Sequence, residues 1–205
     1  LINLLINFAT TPQQNLFKSY EKTSIMKVVV TMLARNTEAT LEETYNEIPP
    51  EYKKFVILSD DSSTDSTTKI AEKLRIKVYK NNRKPGYGSN AKNCFRSALK
   101  EGADIVVILH SDNQYDATKI PDLVKLIEDG KAEFTIGSRI LGDKAKNMSA
   151  FRFIGNRFLG FMQNFSMGTK ITDLHSGLVA IKTDLLRKIH FELDSNDNVF
   201  HVEMI

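Results

Sequence analysis

The chain has 205 residues, with 28 Lys and Arg against 25 Asp and Glu, a formal net charge of +3, one cysteine and no tryptophan. That length suits one domain with a sizeable core, and 41% hydrophobic with 26% charged residues describes a folded chain, not a disordered one. A charge of +3 is too small to argue for a nucleic-acid partner, and the lone Cys94 excludes an internal disulfide or a cysteine-built zinc site, which makes a reducing, cytoplasmic setting the expectation.

The apolar opening, Leu1 to Ala9, is shorter than the roughly 18 residues of a membrane span and lacks the basic leader and cleavage site of a signal peptide. Residues 1–25 read as an N-terminal extension, either a stretch upstream of a natural start at Met26 or a native N-terminal helix. From residue 26 strand-like and helix-like runs alternate. Lys27 to Leu33 is apolar and β-branched, Phe55 to Leu58 ends in a polar burst from Ser59 to Asp65, and Ile76 to Tyr79 is weaker. Asp104 to Leu109 is apolar without alternation, as a strand covered on both faces is, and Phe134 to Ile136 follows. Ala91, Cys94, Phe95, Ala98 and Leu99 share a helical face that Gly102 ends; Ile120, Leu123, Val124 and Ile127 share another that ends at Gly130. A further helix carries Ile70, Ala71 and Leu74. Such alternation predicts an α/β domain: a mostly parallel sheet with right-handed crossovers, flanked by helices. Val202 to Ile205 stop in mid-pattern, so residues 26–205 read as one domain truncated at its C-terminus.

Ligands of parallel sheets sit beyond the carboxyl ends of the strands. Polar clusters follow the strand runs here at Asn36 and Glu38, at Ser59 to Asp65, at His110 to Gln114 and at Gly137 to Arg139. No glycine-rich dinucleotide fingerprint follows the first strand, and neither a phosphate-loop nor a nucleophile-elbow motif occurs. Asp60 and Asp61 suit hydrogen bonds to ribose hydroxyls or a base N–H. Helix N-capping is the alternative there, and it is the reading of Asp65. Asp112 is a hard oxygen ligand, suited to Mg²⁺ or Mn²⁺ bridging a diphosphate. His110, two residues earlier on an extended chain, points the same way. It reads either as a ligand favouring Mn²⁺ or as a strand-closing histidine bonded to neighbouring backbone. Arg83 and Lys84 precede Gly86 and Gly88 ahead of a helix, whose N–H groups and dipole attract phosphate. Arg139 is a second candidate cation.

In this order and spacing, Val56 to Asp65, Gly86 to Asn90, Val107 to Asp116, Gly137 to Arg139 and Thr172 to Gly177 resemble family 2 glycosyltransferases of the GT-A fold. The resemblance runs from about Met26 to Ile205 and is to the dolichyl- or polyprenyl-phosphate sugar synthase-like branch. It implies inverting transfer from a UDP- or GDP-sugar to a polyprenyl phosphate or a glycan hydroxyl, in cell-envelope glycan or glycolipid synthesis. It implies that Asp60 and Asp61 hold the nucleoside, with Asn36, Glu38, Lys84, Gly86, Ser111 and Asn113 around the donor. Asp112 matches the last acid of the family's D-x-D metal motif, Gln114 the glutamine that often follows, and His110 replaces the motif's first acid. Arg139 and Asp173 fall near sugar and acceptor, and Glu203 matches an acid in the family's later helix. Asn36 and Glu38 match P-x-x-N-E approximately, and Val179 stands where an arginine is expected after Ser-Gly-Phe.

A divalent ion, Mn²⁺ or Mg²⁺, would neutralise the leaving diphosphate while the acceptor attacks from the opposite face. A sugar hydroxyl needs a carboxylate base, Asp173 first and Glu203 second, whereas a phosphate acceptor is already ionised. Phe151, Ile154, Phe158, Phe161, Met162 and Phe165 make an aromatic helical stripe beside Arg152 and Arg157. It reads as core packing, with a helix lying on the inner face of a membrane as the alternative. Two other classes compete: a sugar-1-phosphate nucleotidyltransferase, whose glycine-rich loop is missing from Leu33 to Glu38, and a non-catalytic nucleotide-sugar-binding protein of the same fold.

Overall fold

The computed structural model describes residues 3–6, 26–138, 155, 173, 176–197 and 200–204. Their strands form one seven-stranded sheet, in the order β1 (Asn3–Ile6), β6 (Phe134–Ile136), β7 (Leu178–Lys182), β5 (Ile105–His110), β2 (Val28–Ala34), β3 (Val56–Asp60), β4 (Lys77–Lys80). The block from β5 to β4 is parallel throughout, whereas β7 is antiparallel to both β5 and β6, and β1 is antiparallel to β6. The sheet is therefore mostly parallel, with two reversed strands. Neither β1 nor β7 is among the strands expected from local pattern.

The helices are α1 (Leu41–Glu47), α2 (Thr67–Lys73), α3 (Tyr87–Lys100), α4 (Ile120–Glu128), α5 (Thr183–Lys188) and α6 (Phe200–Glu203). Two apolar clusters show why the strand runs lack alternation. Val28, Val30 and Met32 of β2 and Ile105, Val107 and Leu109 of β5 pack with Leu41, Ala71, Leu123 and Ile127 of α1, α2 and α4. Val29, Val106 and Ile108 face Cys94, Phe95, Ala98, Leu186 and Phe200 of α3, α5 and α6. Both faces are thus covered, giving three layers. Gly102 and Gly130 close α3 and α4 with φ of 72° and 67°, a conformation glycine adopts without steric cost. Cys94 is fully buried, and burial pushes its thiol up to about 12, so it is a packing residue and not a nucleophile.

Chain order fixes the crevice. From β2 the chain adds β3 and then β4 on one side, then returns to place β5 on the other. The strand order reverses between β2 and β5, and in open α/β sheets the ligand crevice lies outside the carboxyl ends at such a point. A depression of about 170 Å³ lined by Val29, Lys54, Arg75, Lys77 and Glu101 lies at the opposite, amino-terminal end of the strands. No described helix is long and apolar enough to cross a membrane.

Candidate active site

Backbone pairing brings the polar clusters together around the end of β2. Leu33 is in register with His110 and Ala34 with Asp60. Just beyond, the Ser111 N–H donates to Leu33 O at 3.1 Å and the Asp61 N–H donates to Ala34 O at 2.9 Å. The two segments holding the acidic candidates therefore flank one strand terminus. Among the described residues, three of the four non-glycine residues with positive φ, Asn36 (52°), Ser62 (61°) and Asn113 (56°), lie in the loops after β2, β3 and β5. Backbone of that kind persists only where its surroundings hold it, and it concentrates at functional sites.

The loops after β2 and β3 are laced to each other. Asn36 donates its N–H to Ser63 Oγ at 2.9 Å and accepts the Thr64 N–H on Oδ1 at 2.8 Å. Glu38 donates its N–H to Asp65 Oδ2 at 3.1 Å, and its carboxylate accepts the Ser66 N–H at 2.8 Å, at the start of α2. Asp65 accepts the Thr67 N–H at 2.9 Å, the helix-entry role expected of it. Asn36 and Glu38 thus shape the rim of the crevice.

Asp60 and Asp61 are each 3% exposed. Asp60 accepts the Ser63 N–H at 3.3 Å on either oxygen. Asp61 accepts Asn81 Nδ2 at 2.8 Å on Oδ1 and the Gly86 N–H at 3.0 Å on Oδ2, with Arg35 Nη1 3.8 Å away. Asp61 is therefore the anchor of the glycine-containing loop before α3, and not a cap of the helix that carries Ile70, Ala71 and Leu74. Asn81 was not singled out from the sequence, although it directly follows β4 as the other clusters follow their strands. Lys84 is exposed.

The α3 start differs from the expected phosphate cradle. The Gly86 N–H is taken by Asp61 and the Ser89 N–H donates to Asn196 O at 3.3 Å, so protein oxygens occupy those donors. The close approach explains both glycines: a Cβ on Gly86 would fall 2.5 Å from Asn196 O, and one on Gly88 2.5 Å from Ser195 O. Asn90, 1% exposed, docks α3 onto the sheet by accepting Ser59 Oγ at 2.6 Å and donating to Ala34 O and Ser59 O.

Asp112 accepts Gln114 Nε2 at 2.8 Å on Oδ2 and the Gln114 N–H at 3.2 Å on Oδ1, with its side chain 36% exposed. His110 Nδ1 lies 4.0 Å from Asp112 Oδ2, and Nε2 lies 3.3 Å from Tyr87 Oη. The imidazole is bracketed by the rings of Tyr87 and Tyr115 at 5.3 and 5.4 Å, both edge-on. It also lies on Gly177, where a Cβ would meet the ring at 2.4 Å. His110 and Asp112 thus face each other, as the extended spacing predicts. Among the described residues no group of three or more His, Cys, Asp or Glu side chains could hold a metal ion. Ser111 is fully buried, with its carbonyl accepting Thr40 Oγ1 at 2.6 Å. The Ser111 Oγ and the Thr37 Oγ1 are buried without a hydrogen-bond partner among the described residues.

Asp173 is 5% exposed. Val179 is 1% exposed and pairs with Ile108 inside the sheet. Glu203 accepts the Ser195 N–H on Oε2 at 2.6 Å. Burial, then repulsion from Glu203, push the Asp194 carboxyl above its ordinary value. Arg139 and the 151–165 stripe, Gly155 apart, lie outside the described residues.

The glycosyl transferase family 2 profile matches residues 28–190. A UDP-N-acetylglucosamine–dolichyl-phosphate N-acetylglucosaminyltransferase of Methanococcus voltae is 28% identical over 178 residues, 78% of this chain and 71% of that protein. An uncharacterised protein of Methanocaldococcus jannaschii is 29% identical over 171 residues, 83% of this chain and 70% of that protein. Among solved structures, glucosyl-3-phosphoglycerate synthase of Mycobacterium tuberculosis with UDP superimposes with a TM-score of 0.65 at 21% identity, covering 87% of this chain and 64% of that one. The same synthase with Mn²⁺, UDP-glucose and phosphoglyceric acid gives 0.64 at 22% identity, over 87% and 63%. The chain thus spans a little under two thirds of those structures, and the likeness establishes a shared GT-A fold. With the profile covering most of its length and the acids at the ends of β3 and β5 in place, the chain belongs to glycosyl transferase family 2.

Proposed function

We propose that the chain carries the donor site of an inverting, metal-dependent glycosyltransferase that moves a sugar from a nucleotide diphosphate to an acceptor. The observation that supports it best is the convergence of the segments bearing Asp60, Asp61 and Asp112 on the end of β2, at the reversal between β2 and β5. The nucleotidyltransferase alternative gains nothing, since the loop from Arg35 to Thr40 is organised by side chains and not by a glycine-rich cradle.

The donor set at Asp112 fits a divalent ion. Mg²⁺ and Mn²⁺ are commonly held by one or two carboxylates with substrate phosphates completing the shell, and a single half-exposed carboxylate is what this site offers. A bound Mn²⁺ or Mg²⁺ would supply charge neutralisation for the departing diphosphate. Gln114, by donating to Oδ2, fixes the orientation of the Asp112 carboxylate. The rim of Asn36 and Glu38, together with the buried Asp60 and Asp61, shapes the nucleoside side, with Lys84, Ser111, Asn113 and Arg139 completing the donor contacts and Gly86 held by Asp61. For a hydroxyl acceptor, Asp173 takes the proton, with Glu203 the second candidate; a polyprenyl phosphate needs neither. Dolichyl phosphate in the Methanococcus relative's name, and dolichyl-phosphate hexose transfer in that of a Haloferax volcanii relative, favour a lipid phosphate acceptor. Such an acceptor places the enzyme against a membrane, at its inner face. Residues 26–205 form the catalytic domain, and 1–25 an extension that adds β1 to its sheet.

The test is turnover of a panel of UDP- and GDP-sugars with Mn²⁺, with Mg²⁺ and with chelator. The expected result is metal-dependent release of the nucleotide, lost in Asp112→Ala by about a hundredfold or more, since electrostatic stabilisation of the leaving group is a large term. Undiminished turnover in that variant removes the metal role, and binding without turnover under every condition favours the non-catalytic reading.

A further inference from the structure

Lys92 lies on α3 yet is only 2% exposed. A buried ammonium is costly unless its donors are met. Its Nζ donates to Glu192 O at 3.2 Å, to Asn196 Oδ1 at 3.0 Å and to Asp194 O. All three acceptors come from one short loop, residues 192–196, which follows α5 and leads toward α6. An ammonium has three N–H groups, so these acceptors match its full donor capacity.

The same loop is held at its ends. Glu192 is paired with Arg83 at 3.0 Å and with Arg96 at 2.8 Å. Asn196 O accepts from the Ser89 N–H, and its approach requires the glycines at 86 and 88. The loop is therefore templated on α3, with Lys92 at its centre. What the loop presents in turn is the Ser195 N–H, aimed at the Glu203 carboxylate. Phe200, one turn before Glu203, is fully buried beside Phe95, and Lys92 Nζ lies 5.8 Å from its ring centroid. Two routes thus lead from Lys92 to Glu203, one through the Ser195 amide and one through the packing of α6.

We propose that Lys92 is a positioning residue for Glu203: by ordering the 192–196 loop it fixes the Ser195 amide and α6, and so the place of that carboxylate. The other end of the same loop touches the glycine segment that Asp61 anchors, so the nucleoside side and the Glu203 side are built on one helix. The inference rests on the hydroxyl-acceptor form of the transferase reading above, in which Glu203 is the second candidate for the base.

Two measurements on the full chain separate the proposal from that reading. Hydrogen exchange compares Lys92→Met with the wild type. Faster exchange at Ser195, Asn196 and Ser89, with β2, β3 and β5 unchanged, is expected; unchanged protection of the loop overturns the proposal. Kinetics with the sugar nucleotide that the panel identifies then tests the link to Glu203. In Lys92→Met, kcat is expected to fall by about a hundredfold, the cost of misplacing a working group by about an ångström, with KM for the donor unchanged. Lys92→Met combined with Glu203→Gln is expected to be no slower than the slower single variant, because the two act as one unit. Additive losses, or a rise in KM alone, overturn it. Should Lys92→Met not fold, Asn196→Ala removes one of the three acceptors from the loop side and is read the same way. A wild-type chain that turns over no sugar nucleotide counts against the transferase reading, while the exchange result still decides whether Lys92 orders the loop.

Discussion

The Asp65 carboxylate accepts the Thr67 N–H at 2.9 Å on Oδ1 and the Glu38 N–H at 3.1 Å on Oδ2. One side chain thus starts α2 and ties the loop after β2 to the loop after β3. Burial works to raise this carboxyl, but the Thr67 side-chain and backbone donors and the Glu38 N–H outweigh it and hold the group below its ordinary value. A carboxyl lowered on folding adds stability that is fully present above its unfolded value and is lost as pH falls through the folded one. Asp65→Ala is expected to cost about 1 kcal/mol, in the range of a lost helix cap. Urea unfolding from pH 7 to pH 3 checks both points: the gap between wild type and variant should hold steady above about pH 5 and narrow below it, since free aspartate titrates near 3.9. A gap that widens on acidification would contradict the hydrogen-bonding account.

At the scale of elements, β7 and the segment before it decide how His110, beside Asp112, is packed. Gly177 runs beside His110, accepting its N–H at 3.0 Å, and its missing Cβ is where the imidazole sits. Gly177→Ala must push that ring against Tyr87 and Tyr115, and overpacking of this kind costs roughly 1–3 kcal/mol. The midpoint of chemical denaturation should fall accordingly, and metal-dependent turnover should weaken because His110 lies against Asp112. A variant as stable and active as the wild type would mean that the ring moves freely. The elements legible in the sequence were those with a local signature. β5 showed as an unbroken apolar run, and α3 and α4 as 3.6-residue periods ending at glycines. β7 was not legible, because four apolar residues after a polar motif fit strand or helix equally and its antiparallel insertion beside β5 is a long-range pairing. β1, four residues with an Asn at its start, carries still less local signal. The same division holds for the site. Asp112 and Gln114 stand out by position after the most buried strand, whereas Lys92 and Asn81 carry no local signal, because burial of a polar residue depends on acceptors that lie far away in sequence.

On the scale of the whole molecule, the sheet order decides which chemistry a crevice can host. Four adjacent parallel strands deliver their carboxyl-end loops to one edge, and the reversal between β2 and β5 separates the loops enough for a ligand to enter. A ligand that binds the folded chain alone must stabilise it by mass action, whatever the acceptor or the sugar. UDP is the simplest probe, being the part of a donor that Asp60, Asp61 and Asp112 are proposed to hold. At a hundredfold excess over its dissociation constant it should stabilise the fold by about 2.7 kcal/mol. For a chain of this length, each kcal/mol moves the midpoint by about 2–4 °C, so a rise of roughly 5–11 °C is expected. If Asp112 bears the ion beside the diphosphate, that rise should need Mn²⁺ or Mg²⁺ and vanish with chelator. Asp112→Ala should then melt at the same temperature with and without UDP and metal. A rise equally large in chelator, or retained in Asp112→Ala, would place nucleotide binding in the crevice without the ion, and the metal part of the proposed chemistry would fall while the donor site stood.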